Sequence, residues 1–272
     1  MIRCTLQPFL NRVQRMFNPL DYPFVVLVGS LALFWIAEWI GGSFRGMLPE
    51  LEGEREEFMF ALGGTLTLLG LIIGFSFSMA VNRYDQRKDY EEAEANAIGT
   101  EYVRADLLPA ADAAKVRSLL KSYLDLRIRT YEAPHGQKLR DLDAETMRLQ
   151  SQLWSAVATS TASEKSTGQQ SVLALLVVGG MNDVLNSEGY TQAAWWNRIP
   201  YAAWALMMII SLFCNLMIGY AARRRGMLLY LILPIALSFS LFLIADIDSP
   251  RRGVIRVIPQ NLESLAKSLR AQ

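Results

Sequence analysis

From Phe58 to Pro109 the chain passes from an apolar stretch studded with glycine and serine, FMFALGGTLTLLGLIIGFSFSMAV, into a charged one, NRYDQRKDYEEAEANAIGTEYVRADLL. No proline or turn cluster separates them, so the pattern predicts one helix that leaves a bilayer and continues into water. Phe58 to Val81 would extend about 36 Å, enough to cross a hydrocarbon core with some tilt, and continuation to Leu108 would give about 75 Å. Pro109 should end the helix, because a residue before proline is pushed out of helical geometry.

Three further apolar runs, Phe24 to Ile40, Ile199 to Tyr220 and Met227 to Ala245, have about the length a bilayer demands. Four spans are therefore predicted, with Phe58 to Val81 as the second. The first is short and carries Glu38 near its end, a charge that is costly in lipid. Arg3, Arg12 and Arg15 precede it as they would in a signal peptide. The basic segment is long, however, no small-x-small cleavage pattern follows cleanly, and a second span comes soon after, so an uncleaved anchor is expected. Met1 to Phe17 places Ile2, Leu6, Phe9, Leu10, Val13 and Phe17 on roughly one helical face, which predicts an amphipathic segment along the inner membrane surface, shortened or bent at Pro8.

Between spans two and three the periodicity is helical throughout. Val116, Leu119, Leu120, Tyr123, Leu124, Ile128 and Tyr131 form one buried stripe. Pro134-His135-Gly136 breaks the chain. Leu139, Leu142, Thr146, Leu149, Leu153 and Val157 then follow a heptad-like seam that should pair with another helix, in the same subunit or a neighbour. The polar stretch TSTASEKSTGQ reads as a loop. Ser171 to Asn186 is apolar but too short to span, hence a core helix or a segment resting against the membrane. The fold class is all-α: a polytopic membrane protein with four transmembrane helices and a helical cytoplasmic domain. The expected division is an interfacial segment over 1–23, spans one and two over 24–81, the cytoplasmic domain over 82–198, spans three and four over 199–245, and a cytoplasmic C-terminal segment over 246–272.

Charge orients the spans. With the N-terminus inside, the cytoplasmic flanks hold Arg3, Arg12, Arg15, Arg83, Arg87, Lys88, Arg198, Arg251, Arg252 and Arg256, which outnumber Arg45, Arg55 and Arg223 to Arg225 outside. Both termini are thus placed in the cytoplasm, and the glutamate-rich loop from Gly41 to Glu57 suits the outside. The short turn with Arg223, Arg224 and Arg225 runs against this orientation. Composition, 52% hydrophobic and 19% charged, agrees with a small polytopic protein, and a net charge of +1 gives no reason to expect nucleic acid as a partner. Cys4 and Cys214 lie in the interfacial segment and inside a span, so no disulfide joins them in this geometry.

Catalytic chemistry finds little material. His135 is the only histidine and sits in a proline-glycine turn, which leaves histidine metal sites and Ser-His-Asp machinery without residues. GFSFS resembles a nucleophile elbow only superficially, lying within a spanning helix rather than at a strand-to-helix turn. No phosphate-cradling loop, dinucleotide fingerprint or CxxC pair occurs. Neither an enzyme nor a cofactor or metal is expected.

Three constellations remain. Gly63, Thr67, Gly70, Gly74 and Ser78 fall near one face of span two, where small residues permit either close helix packing or a narrow water-filled path among several copies. At the inner surface, span two exits through Asn82-Arg83-Tyr84-Asp85 and span four through Asp246-Ile247-Asp248-Ser249-Pro250-Arg251-Arg252. Arg83, Asp85, Asp246, Asp248 and Arg251 could pair there as a clamp, or take part in ion passage. Along the stalk run Glu91, Glu92, Glu94, Glu101 and Asp106, either a solvated face or, around an axis, stacked carboxylate rings. Glu94, Asn96 and Glu101 are the candidates for a cytoplasmic vestibule.

The run LLGLIIGFSFSMAVNRYDQRKDYEEAEANAIGTEYVRADLLP, then MNDVLN, RIPYAAW and FLIADIDSPRRGVIRV, resembles the bacterial bestrophin-like membrane proteins from about Leu62 onward. EANAIGTEYVRADLLP and DIDSPRRG are the most specific parts. The resemblance implies four spans, a helical cytoplasmic domain between the second and third, and a distant likeness to bestrophin anion channels. It carries over no selectivity or calcium-binding residue and names no ion. The stretch EGYTQAAWW, around Gly189 to Trp196, departs from the basic approach to span three that the family suggests, and so puts a lipid or anion contact there in question.

Taken together, these features point to a homo-oligomer in a bacterial inner (plasma) membrane, with membrane lipid as its surroundings and inorganic ions as permeants. It would form an ion channel or channel-like path, with span two and its stalk nearest the axis. The alternative is a non-conducting scaffold or signalling protein that binds a partner helix through the Leu139 to Val157 seam.

Overall fold

A computed structural model of the chain describes residues 18–45, 54–134, 136–163, 168–221 and 229–271. The amphipathic N-terminal segment, His135 and the Arg223 to Arg225 turn lie outside these residues. The described helices are α1 (Pro23–Arg45), α2 (Glu54–Arg104), α3 (Ala110–Glu132), α4 (Gln137–Ser163), α5 (Gly168–Trp196), α6 (Tyr201–Ala221), α7 (Leu229–Asp248) and α8 (Gln260–Arg270). No strand occurs among the described residues, and four helical stretches are long and apolar enough to cross a membrane.

α2 is helical straight through the change from apolar to charged sequence. Its end follows the proline: the chain tightens into a 3-10 turn over Ala105–Leu107, and Leu108 is extended at φ −91°, ψ 162° immediately before Pro109. Two boundaries differ from the sequence pattern. α4 runs on to Ser163, so the expected TSTASEKSTGQ loop begins inside a helix. There the hydroxyl of Thr161 donates to the carbonyl of Val157 at 2.9 Å, the back-bonding that lets threonine continue a helix. α5 continues well past Asn186, through EGYTQAAWW to Trp196, because its last turns have aromatic and polar partners described below.

The chain forms two compact units, Met1–Asn82 with Arg198–Arg256 and Arg83–Asn197 with Val257–Gln272. In the first, α1 and α6 run side by side in the same direction. Asp21 and Arg198 form an ion pair near their starts, and Gly41 and Gly219 meet the opposing backbone near their ends. A Cβ on Gly41 would overlap the carbonyl of Leu216, and one on Gly219 the carbonyl of Glu38, so this approach requires bare backbone on both helices. α7 runs antiparallel to them, with the ring of Phe242 5.3 Å from that of Phe24.

The second unit has a conventional apolar core. Ile98 and Tyr102 of α2 meet Val116, Leu120, Tyr123 and Leu124 of α3, Leu153 and Val157 of α4, Val177, Met181 and Val184 of α5, and Leu262 and Leu269 of α8. The α4 seam is therefore filled within the chain: Leu142, Leu153 and Val157 are buried and Leu139 and Leu149 partly so, against α3 and its neighbours. α8 is fastened at its start by α2, since the carboxylate of Glu91 accepts the backbone N–H groups of Asn261 and Leu262, both at 2.9 Å, and the Asn261 amide at 2.6 Å. An acid placed there offsets the unpaired N–H groups that every helix start presents.

Candidate functional site

The small-residue face of α2 is open. Gly63, Thr67, Gly70, Gly74 and Ser78 are all exposed, and a Cβ on Gly63, Gly70 or Gly74 would meet nothing within 4 Å. Thr67 keeps its hydroxyl on its own helix, donating to the Gly63 carbonyl at 2.9 Å. This segment is attached to its unit by a narrow stripe, Leu62, Leu69, Ser76 and Ala80, together with a contact of 5.4 Å between the rings of Phe58 and Tyr220. Only 11% of the apolar window of α2 is buried within the chain, against 50% for α7. Since single apolar side chains are common at surfaces but contiguous apolar faces are not, such a helix needs lipid or another protein surface to cover it.

The charged half of α2 does not present the solvated acidic face its composition suggests. Glu91, Glu94 and Glu101 are buried, whereas Glu92, Asn96 and Asp106 are exposed. Of the three vestibule candidates, only Asn96 is exposed. Glu94 accepts a hydrogen bond from Nε of Arg127, which is as deeply buried, and further ones from the Tyr131 hydroxyl at 3.3 Å and the Thr191 hydroxyl at 3.2 Å. Glu188 stands 3.8 Å from the same guanidinium, and burial raises its carboxyl above the usual range despite the attraction of Arg127. Thr191 and Glu188 belong to EGYTQAAWW, as do Tyr190, stacked 5.9 Å from Tyr90, and Trp195, edge-on to Tyr131 at 4.9 Å. The stretch that departs from a basic approach is thus the wall of a buried ionic network. Reasoning from the sequence passed over Arg127. The available signal was the series Tyr123, Arg127, Tyr131, which puts a cation on a helix face otherwise made of core residues.

Glu101 is fully buried, and neither carboxylate oxygen has a hydrogen-bond partner. It lies over the bare backbone of Gly180 on α5, where a Cβ would overlap it. Desolvation pushes its carboxyl up to about 8; the nearby Arg104 charge pulls down and Asp183 pushes up. Near neutral pH this group can therefore exchange a proton.

The acids at the end of α7 accept hydrogen bonds from backbone N–H groups. Asp246 accepts the N–H groups of Val254 and Ile255, each at 2.7 Å, which folds the chain back after Gly253; a Cβ on Gly253 would overlap the Asp246 carbonyl. Asp248 accepts the N–H of Ile199 at 3.1 and 3.2 Å, joining the end of α7 to the approach of α6. Beside them the Arg252 guanidinium covers the Tyr22 ring at 4.2 Å, and Arg251 is half-buried. Of the remaining clamp candidates, Arg83 is half-buried and Asp85 exposed, both in the second unit. The carboxylates of Asp246 and Asp248 thus hold N–H groups that buried backbone cannot leave unpaired.

Comparison with known proteins agrees with this architecture. The family described as Bestrophin-like domain matches residues 24–262. Among solved structures, two single-substitution variants of a bacterial bestrophin homolog from Klebsiella pneumoniae are similar to this chain. One has a TM-score of 0.62 at 14% identity, covering 91% of this chain and 97% of its own, and the other 0.63 at 13%, covering 89% and 97%. A structure described as a membrane protein variant gives 0.63 at 13% identity, covering 90% of this chain and 96% of its own. No curated protein matches the sequence.

Proposed function

We propose that this chain, which belongs to the Bestrophin-like family, assembles with copies of itself into an ion channel whose membrane section is lined or closely packed by the open face of α2. The observation that carries this reading is the exposed row Gly63, Thr67, Gly70, Gly74 and Ser78, a face without cover in the single chain. Small residues at three- and four-residue steps let copies approach around an axis, and backbone and hydroxyl groups along that axis can replace part of an ion's water. Bestrophins are channels and multi-pass membrane proteins, commonly oligomeric, which favours several copies over a lone bundle. In this arrangement both termini are cytoplasmic in a bacterial inner membrane, and the exposed Asn96 is the vestibule candidate that still faces solvent. The scaffold alternative is less favoured, since the α4 seam it needs is occupied by the chain's own helices.

Subunit number in nanodiscs and unitary conductance in planar bilayers test the proposal together. A homo-oligomer is expected, with a conductance that Gly74→Leu reduces or abolishes. A monomer, or a well-folded oligomer that passes no current, would overturn it.

A further inference from the structure

The first unit buries a second polar group, one that the channel reading does not use. Glu38 of α1 is 2% exposed, and neither of its carboxylate oxygens has a hydrogen-bond partner. Asn215 of α6 is fully buried; its Nδ2 donates to the Ser211 carbonyl at 2.7 Å, while its Oδ1 has no partner. Helix geometry brings the two to one level. Gly219 lies against the backbone of Glu38, and Asn215 is one turn earlier on the same face of α6. Side chains on a helix lean toward its N-terminus, and α1 and α6 run in the same direction, so Glu38 leans toward the turn that carries Asn215. One turn further in is Ser211, and α7 contributes Ser238; both are fully buried with hydroxyls lacking partners.

The chemistry of this group is one-sided. Two carboxylate oxygens and an amide oxygen are acceptors only, and among the described residues no side-chain donor is bonded to any of them. Buried acceptors with no donor bonded to them are costly, and a buried carboxylate most of all, unless a cation completes the set. Oxygen ligands of this kind suit a hard ion, and a single carboxylate balances a single positive charge. We propose that Glu38 and Asn215 hold a small monovalent cation between α1 and α6 within each subunit. The backbone contact at Gly41 and Gly219 closes the space beside this site, and Ser211 and Ser238 offer further oxygens deeper in the same unit. The site belongs to one chain, so it stands or falls independently of any conduction by the assembly.

The test is sodium binding to the purified full chain in nanodiscs, with choline as the inert cation at constant ionic strength. Saturable binding of radioactive sodium is expected, along with a thermal midpoint that rises with sodium or potassium and not with choline. Glu38→Gln, close to isosteric, should remove both effects, and Asn215→Leu should weaken binding about tenfold, the loss of one oxygen ligand. Thermal midpoints of both variants in choline close to that of the wild type serve as the folding control. Absence of saturable sodium binding in the wild-type protein would overturn the proposal. So would a midpoint that follows pH alone and ignores the choice of cation, since that would make a proton the only occupant.

Discussion

The first half of α2 exposes Phe60, Leu68, Leu71 and Phe75, whereas its second half buries Glu91, Glu94 and Glu101. One continuous helix thus turns apolar side chains outward in one compact unit and packs charged ones inward in the other. The difference shows that burial here follows the available partners rather than the polarity of the stretch. The charged half has α3, α5 and α8 to supply a guanidinium, hydroxyls and a helix start, so Glu91 and Glu94 are dehydrated against donors, while Glu101 lies over the bare backbone of Gly180 without one. The apolar half has one narrow stripe of contact, and its remaining surface is left for lipid or for another copy.

The largest expected effect lies in the charged half. Glu94→Ala takes from the fully buried Arg127 its hydrogen-bonded carboxylate and leaves only Glu188 at 3.8 Å, and should cost about 3–5 kcal/mol in thermal or denaturant unfolding followed by circular dichroism. The exposed neighbour Glu92 provides the contrast, since Glu92→Ala should change stability by no more than about 0.5 kcal/mol. Equal effects from the two would erase the distinction between the buried and exposed faces of this half.

A smaller effect, with a pH signature, is expected at Glu101. Its carboxyl is raised from 4.5 in the free side chain to about 8 in the fold. Between those values the folded chain holds a proton that the unfolded chain has released, so stability contributed by this group is full below about 4.5 and is lost as pH rises through 8. Glu101→Gln should flatten that slope and stabilise the protein at pH 8 by about 1–3 kcal/mol, the cost of an unsatisfied buried group. An unchanged pH profile of unfolding in this variant would show that Glu101 is not the buried acid described. Gly180→Ala, which places a methyl group on the carboxylate, should destabilise by about 1–3 kcal/mol.

The smallest effect on stability sharpens the comparison from the membrane side. Gly74 has open space where a side chain would project, so Gly74→Leu should leave the unfolding midpoint nearly unchanged, within about 0.5 kcal/mol, while altering subunit association or current. Large destabilisation of the isolated subunit would mean that the face is covered within the chain.

Much of the architecture is legible in the sequence because it depends on local pattern. The four apolar runs, the unbroken passage through Asn82 and Arg83, and the stop before Pro109 follow from hydropathy, helix period and proline geometry. The extents of α4 and α5 were less legible. Threonine back-bonding and aromatic stacking sustained helix where composition alone suggests a loop or a short segment. The site was legible only as a set of residue types. The glycine row lies on one face by spacing alone, but nothing in the spacing indicates whether a neighbour fills it.

What the sequence determined by itself is therefore the list of helices, since each depends on interactions within a few residues. What only the tertiary structure decided is the role of each polar group. Glu91, Glu92, Glu94 and Glu101 are one residue type on one helix, yet one caps α8, one lies exposed, one binds Arg127 and one rests unpaired over Gly180. Glu38 and Asn215 likewise belong to helices far apart in the chain, and their buried acceptor oxygens come to one level only because bare backbone at Gly219 lets α1 and α6 touch. The free energy of a carboxylate depends on which donors, charges and water surround it, and those surroundings come from parts of the chain that local sequence does not specify.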